Sequence, residues 1–161
     1  MTSTFHGYAS VTKLTLVNMD LSHADLRSVI QSCPRLDDLS IRGGQCTGVL
    51  FASLQQSSLS KLELTGCLMN GCLESLATLR TLTKLTLALA KEQSVPLEDI
   101  TPHISSLQQL ELLHIGGVEI YKQDLQGAAP LIKLQRLKHL EIRGQVLPLA
   151  TFLTLVSLKV I

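Results

Sequence analysis

The chain has 161 residues, 14 of them Lys or Arg and 13 Asp or Glu, and is 45 % hydrophobic but only 3 % aromatic. A net charge of +1 excludes a broadly basic nucleic-acid surface, and two Tyr with three Phe leave little for base stacking. No run of 18 or more apolar residues is available to span a bilayer, and MTSTFHGYAS has no charged region leading into an apolar run, so it is not a secretory signal; a single domain over 1–161 in the cytosol or nucleus is expected.

One short pattern recurs in chain order: an apolar residue, a gap of three to the next, and a gap of two to the third. It appears as Val11, Leu14, Leu16; Leu36, Leu39, Ile41; Leu59, Leu62, Leu64; Leu82, Leu85, Leu87; Leu110, Leu113, Ile115; and Leu137, Leu140, Ile142. A seventh copy starts at Leu158 and is cut off at Ile161. Successive copies begin 25, 23, 23, 28, 27 and 21 residues apart. Neither a helix nor a plain alternating strand has this offset. A repeat of roughly 20–29 residues does. The gap of two is a strand, in which Leu39 and Ile41 point inward while Asp38, Ser40 and Arg42 point out. The preceding leucine sits where the chain turns into the strand.

Between the strands lie return segments. Ser22 and Asp25 form a capping box for a helix over 24–32 that presents Leu26, Val29 and Ile30. Thr47 is placed to cap a helix from Val49 to Gln56. Asn70 is placed to cap one from Cys72 to Leu79, with Leu73, Leu76 and Leu79 at a period of three. Thr101-Pro102 puts proline at a favoured first helical position, opening a short helix to about Gln108. Pro130 opens a turn over 131–136, and the stretches KEQSVPLED and EIYKQDLQG are expected to be surface loops.

The chain resembles the leucine-rich repeat (LRR) proteins over nearly its whole length. The resemblance implies an α/β solenoid of about six to seven repeats, a curved horseshoe with a parallel concave β-sheet and a helical or irregular convex side. Within that superfamily, DLRSVIQSCPRLDDLSIRG and KLELTGC are similar, through Cys33-Pro34 and Cys67, to the cysteine-containing repeats of F-box/LRR substrate receptors of ubiquitin ligases. The matching turn positions Gly44, Ala90, Val118 and Gln145 carry neither the asparagine nor the cysteine of those repeats. This second likeness implies a surface that holds a substrate for ubiquitin transfer by other subunits. Solenoids hide the ends of their core under capping repeats, so further repeats or a covering partner are expected past Ile161.

The repeat register defines the concave face. Its outward positions are Lys13, Thr15, Val17; Asp38, Ser40, Arg42; Lys61, Glu63, Thr65; Lys84, Thr86, Ala88; Leu112, His114, Gly116; and His139, Glu141, Arg143. Six strands about 4.8 Å apart span roughly 24 Å, the scale of one side of a protein interface. Lys13, Lys61 and Lys84 form a column interrupted by Asp38, suited to an acidic segment, with Leu112 as an apolar anchor. Lys61 is also placed to pair with Asp38 across the strands.

His114, His139 and Glu141 gather three groups that could bind metal or move protons. With no orienting partners and no cleft indicated, a binding or solvated surface is the expected role. Cys33, Cys46, Cys67 and Cys72 contain no C-x-x-C pair, so buried small apolar residues are expected in place of zinc ligands or disulfides. The chain has no G-x-S-x-G, P-loop or H-E-x-x-H. No enzyme, metal or cofactor is expected, but a module that binds a protein or peptide, or alternatively a structural scaffold or immune-receptor-type segment.

Overall fold

A computed structural model describes residues 8–18, 23–55, 57–69, 72–91, 93, 95–121 and 124–147. The Leu158 copy and the expected caps Ser22 and Asn70 lie outside them. The described chain runs β1 (Lys13–Val17), α1 (His23–Gln31), β2 (Asp38–Arg42), β3 (Gln45–Cys46), α2 (Gly48–Leu54), β4 (Lys61–Met69), α3 (Leu73–Leu76) and β5 (Lys84–Leu89). It continues through α4 (Leu97–Ile104), β6 (Leu112–Tyr121), a 3-10 segment (Asp124–Lys133) and β7 (His139–Leu147). The fold is α/β, built on a parallel seven-stranded sheet in the order β1-β2-β4-β5-β6-β7, with β3 beside β4.

Because the main strands follow one another in sequence without reversal, right-handed crossovers place every return segment on the same side. There α1 packs on α2, α2 on α3, α3 on α4, and α4 on the 3-10 segment. The register of the six main strands is the expected one: Leu14, Leu39, Leu62, Leu85, Leu113 and Leu140 pair in succession, two residues ahead of a second inward row from Leu16 to Ile142. Leu39, Leu62, Leu85 and Leu113 are buried, while Leu14 and Leu140, on the outermost described strands, are half-buried.

The gap of three now has a structural cause. Just before each strand a backbone carbonyl accepts two N–H groups from the next copy. Thr12 O takes Asp37 and Asp38, Asp37 O takes Ser60 and Lys61, and Ser60 O takes Thr83 and Lys84. Thr83 O takes Glu111 and Leu112, and Glu111 O takes Lys138 and His139. This doubled bond steps the chain by one residue, so the leucine three before the strand's first inward residue also turns into the core. Leu36, Leu59, Leu82 and Leu110 are accordingly no more than 1 % exposed.

The return segments depart from expectation in several places. Thr47 occupies the N-cap of α2 without a capping bond from its side chain, and α2 ends at Leu54, short of Gln56. The helix expected from Cys72 to Leu79 is only Leu73–Leu76. Ala77, Thr78 and Leu79 then donate to the carbonyls three residues back, so the period of three in Leu73, Leu76 and Leu79 is that of 3-10 turns. Helix α4 starts at Leu97, inside the expected KEQSVPLED loop, and holds Pro102 in its interior. Leu97, Ile100, Thr101 and Ile104 form a buried stripe at helical spacing, and that burial outweighs the one N–H that Pro102 lacks.

Likewise the expected EIYKQDLQG loop is split between the end of β6 and the 3-10 segment, which contains Pro130 in place of starting at it. Pro130 cannot donate to the Gly127 carbonyl three residues back. The buried Thr101 hydroxyl donates to that carbonyl instead. Strands β4 and β6 outrun the short expected strands by passing through bulges at Gly66 and Gly117, whose φ values are +65° and +74°.

The sheet is not curled, so the horseshoe curvature implied by the family likeness is not found. Curling follows when the return layer is wider per repeat than the strands, since packed helices stand 8–10 Å apart against about 4.8 Å for strands. Here α3 has four residues and the last return is a 3-10 segment.

Candidate interaction face

The strand alternation that buries the leucines turns the intervening residues to the opposite side of the sheet, which carries no helix among the described residues. The register aligns them in three rows across β1, β2, β4, β5, β6 and β7. The first is Lys13, Asp38, Lys61, Lys84, Leu112, His139; the second Thr15, Ser40, Glu63, Thr86, His114, Glu141; the third Val17, Arg42, Thr65, Ala88, Gly116, Arg143. The eleven residues expected to line this face therefore share it: Lys13, Asp38, Arg42, Lys61, Glu63, Lys84, Leu112, His114, His139, Glu141 and Arg143.

The charge pairing differs from expectation. Asp38 accepts Lys13 at 3.2 Å, while Lys61 turns to Asp37 at 3.6 Å. Asp38 stands between Lys13 and Lys61 in the register, so one carboxylate meets two candidate cations, and Asp37 supplies the second acceptor. Asp37 is itself fixed by the Ser60 hydroxyl. Further along, Arg42 reaches Glu63 at 3.5 Å, and the Thr65 hydroxyl donates to the same carboxylate oxygen at 3.2 Å. Arg143 holds Glu141 through Nε at 2.7 Å and its terminal nitrogen at 2.6 Å.

The rim residues Asp37, Glu111 and Lys138 were absent from the expected face. Lys138 binds Glu111 at 2.9 Å. All three occupy the position just before a strand, and that recurring place was the sequence signal for them.

Ser40 faces the open side by register yet is only 3 % exposed, and its hydroxyl has no hydrogen-bond partner among the described residues. It lies on β2 between Asp38 and Arg42, the anchors of two ion pairs. His114 Nδ1 stands 3.5 Å from Glu141 Oε2, and His139 is in the neighbouring row. Glu141 is already engaged by Arg143, whose hydrogen bond holds its carboxyl below the ordinary range against a smaller opposing effect of burial. Among the described residues, no group of three or more His, Cys, Asp or Glu is arranged to hold a metal ion.

The four cysteines are buried and unpaired. Cys72 donates to the Cys46 carbonyl at 3.1 Å, and Cys67 lies 3.5 Å from the carbonyls of Ile41 and Gly43. Burial is the main cause that raises the Cys72 thiol to about 11. Cys46 is pushed up by its hydrogen bond to Cys67 and then by burial.

No protein-family profile matches the chain, and no curated protein matches it significantly. No helix among the described residues is long and apolar enough to cross a membrane.

Proposed function

We propose that the chain is a non-enzymatic interaction module of the leucine-rich repeat kind, which binds a protein or peptide partner across the open face of its parallel sheet. The observation that carries this reading is the in-register stacking of three rows of mostly polar side chains on a face that no described helix covers. A rigid parallel sheet holds those side chains at fixed spacing, so a partner meets an ordered array without the entropy cost of ordering loops. An open sheet presents breadth and little depth, which suits a macromolecule better than a small ligand needing a closed pocket. Recognition of a substrate on behalf of a ubiquitin ligase is one use of such a face, in keeping with the Cys33-Pro34 and Cys67 repeats. Four free thiols suit a reducing cytosolic or nuclear setting.

A scaffold role, with contacts on the helical side, draws on Ile132, which stands 87 % exposed on the 3-10 segment. The double substitution Lys61→Glu, Lys84→Glu separates the two readings. Affinity capture from a native lysate is expected to lose a specific band with the double variant while the melting temperature stays unchanged. An unchanged band that disappears with Ile132→Asp favours the scaffold.

A further inference from the structure

Lys61 and Lys84 stand opposite each other on β4 and β5. Like charges directly across neighbouring strands repel, with the backbones only about 4.8 Å apart. Asp37 relieves Lys61. Lys84 has no ion-pair partner: among the described residues, it is the one lysine or arginine of the three rows whose side chain makes no hydrogen bond or salt bridge. The carboxylates around it are already taken. Its charge acts on Glu111, but Lys138 holds that group, and Glu63 in the next row is held by Arg42 and Thr65.

On the other side of Lys84, in the same row, is Leu112, a half-buried leucine set on the open face. The row beside the pair holds Thr86 and His114, and the row beyond it Ala88 and Gly116. An unpaired cation thus adjoins an apolar side chain, with the Thr86 hydroxyl and the His114 ring in the next row.

We infer that this patch on β4, β5 and β6 takes an extended segment of a partner protein in which Asp or Glu adjoins an aliphatic or aromatic residue. The carboxylate bonds Lys84 and relieves its repulsion with Lys61, a charge-assisted contact stronger than a neutral one. The apolar neighbour covers Leu112 beside the His114 ring. A basic segment would instead bring a third cation to the same position. The inference rests on the open face being the binding surface, and it adds where on that face the partner sits and what chemistry it carries.

Selection of random peptides displayed on phage against the full chain tests it. Enriched peptides are expected to share an acidic residue beside a Leu, Ile, Val or Phe, and a synthetic peptide of that kind is expected to bind about tenfold or more weakly to Lys84→Glu and to Leu112→Ala. Replacing the acidic residue of the peptide by Lys is expected to restore binding to Lys84→Glu. Unchanged melting temperatures of the two variants confirm that they remain folded. Enriched peptides that lose binding with Arg42→Glu or Arg143→Glu but not with Lys84→Glu would overturn this placement while leaving the open face as the binding surface. Peptides indifferent to all four changes, or no enrichment at all, would sink both.

Discussion

An added Cβ at Gly117 would lie 3.0 Å from the carbonyl oxygen of Leu89 on the neighbouring strand, at a backbone φ of +74°. Both the crowding and the left-handed conformation oppose a side chain there. Gly117→Ala is therefore expected to cost about 1–3 kcal/mol. At Gly116 the same atom meets His114 and Ala88 at 3.6–3.8 Å, ordinary contact distances, so Gly116→Ala is expected to cost under about 1 kcal/mol. Urea unfolding of the two variants checks the difference; equal losses would contradict the bulge geometry of β6.

The Thr101 hydroxyl serves the Gly127 carbonyl that Pro130 cannot. Thr101→Val keeps the shape and leaves that carbonyl without this donor in a buried setting. A loss of about 1–3 kcal/mol is expected, read by chemical denaturation. Thr101→Ser, which retains the hydroxyl, is expected to recover most of it.

Ser40 gives the opposite sign. Its buried hydroxyl makes no hydrogen bond among the described residues, so Ser40→Ala removes a desolvated group without breaking a contact. Thermal unfolding is expected to show stability unchanged or raised by up to about 1 kcal/mol. A clear loss would mean the hydroxyl has a partner in solution.

Leu85 and Thr86 are neighbours in β5 that face opposite sides, the first fully buried and the second half-buried. Leu85→Ala is expected to cost about 2–5 kcal/mol as a large-to-small change in the core. Thr86→Ala is expected to cost well under half of that. Comparable losses in urea unfolding would contradict the register.

Glu141 ties electrostatics to pH. Its carboxyl is held below the ordinary value of 4.5, first by the hydrogen bond from Arg143. A depressed carboxylate stabilises the fold above its unfolded-state value, and that contribution is lost as the pH falls through the lower folded-state value. Following the Glu141 carboxyl by NMR, the titration midpoint is expected below 4.5 and is expected to rise in Arg143→Ala. A midpoint unmoved by that change would mean Arg143 is not its partner in solution.

The repeat of apolar residues at three and two determined, without coordinates, where each main strand begins, which residues enter the core and which rows share the open face. This was legible because strand alternation has a period of two: placing Leu62, Leu85 and Leu113 inside leaves Lys61, Lys84 and Leu112 no choice of side. Only the tertiary structure decided that Asp38 takes Lys13 and leaves Lys61 to Asp37, that Ser40 is covered, and that α4 starts at Leu97. Those outcomes depend on competition among neighbours from different copies, several of which satisfy the same local pattern. The uncurled sheet has the same origin, since curvature reflects the relative widths of two packed layers, and no single copy of the motif contains that ratio.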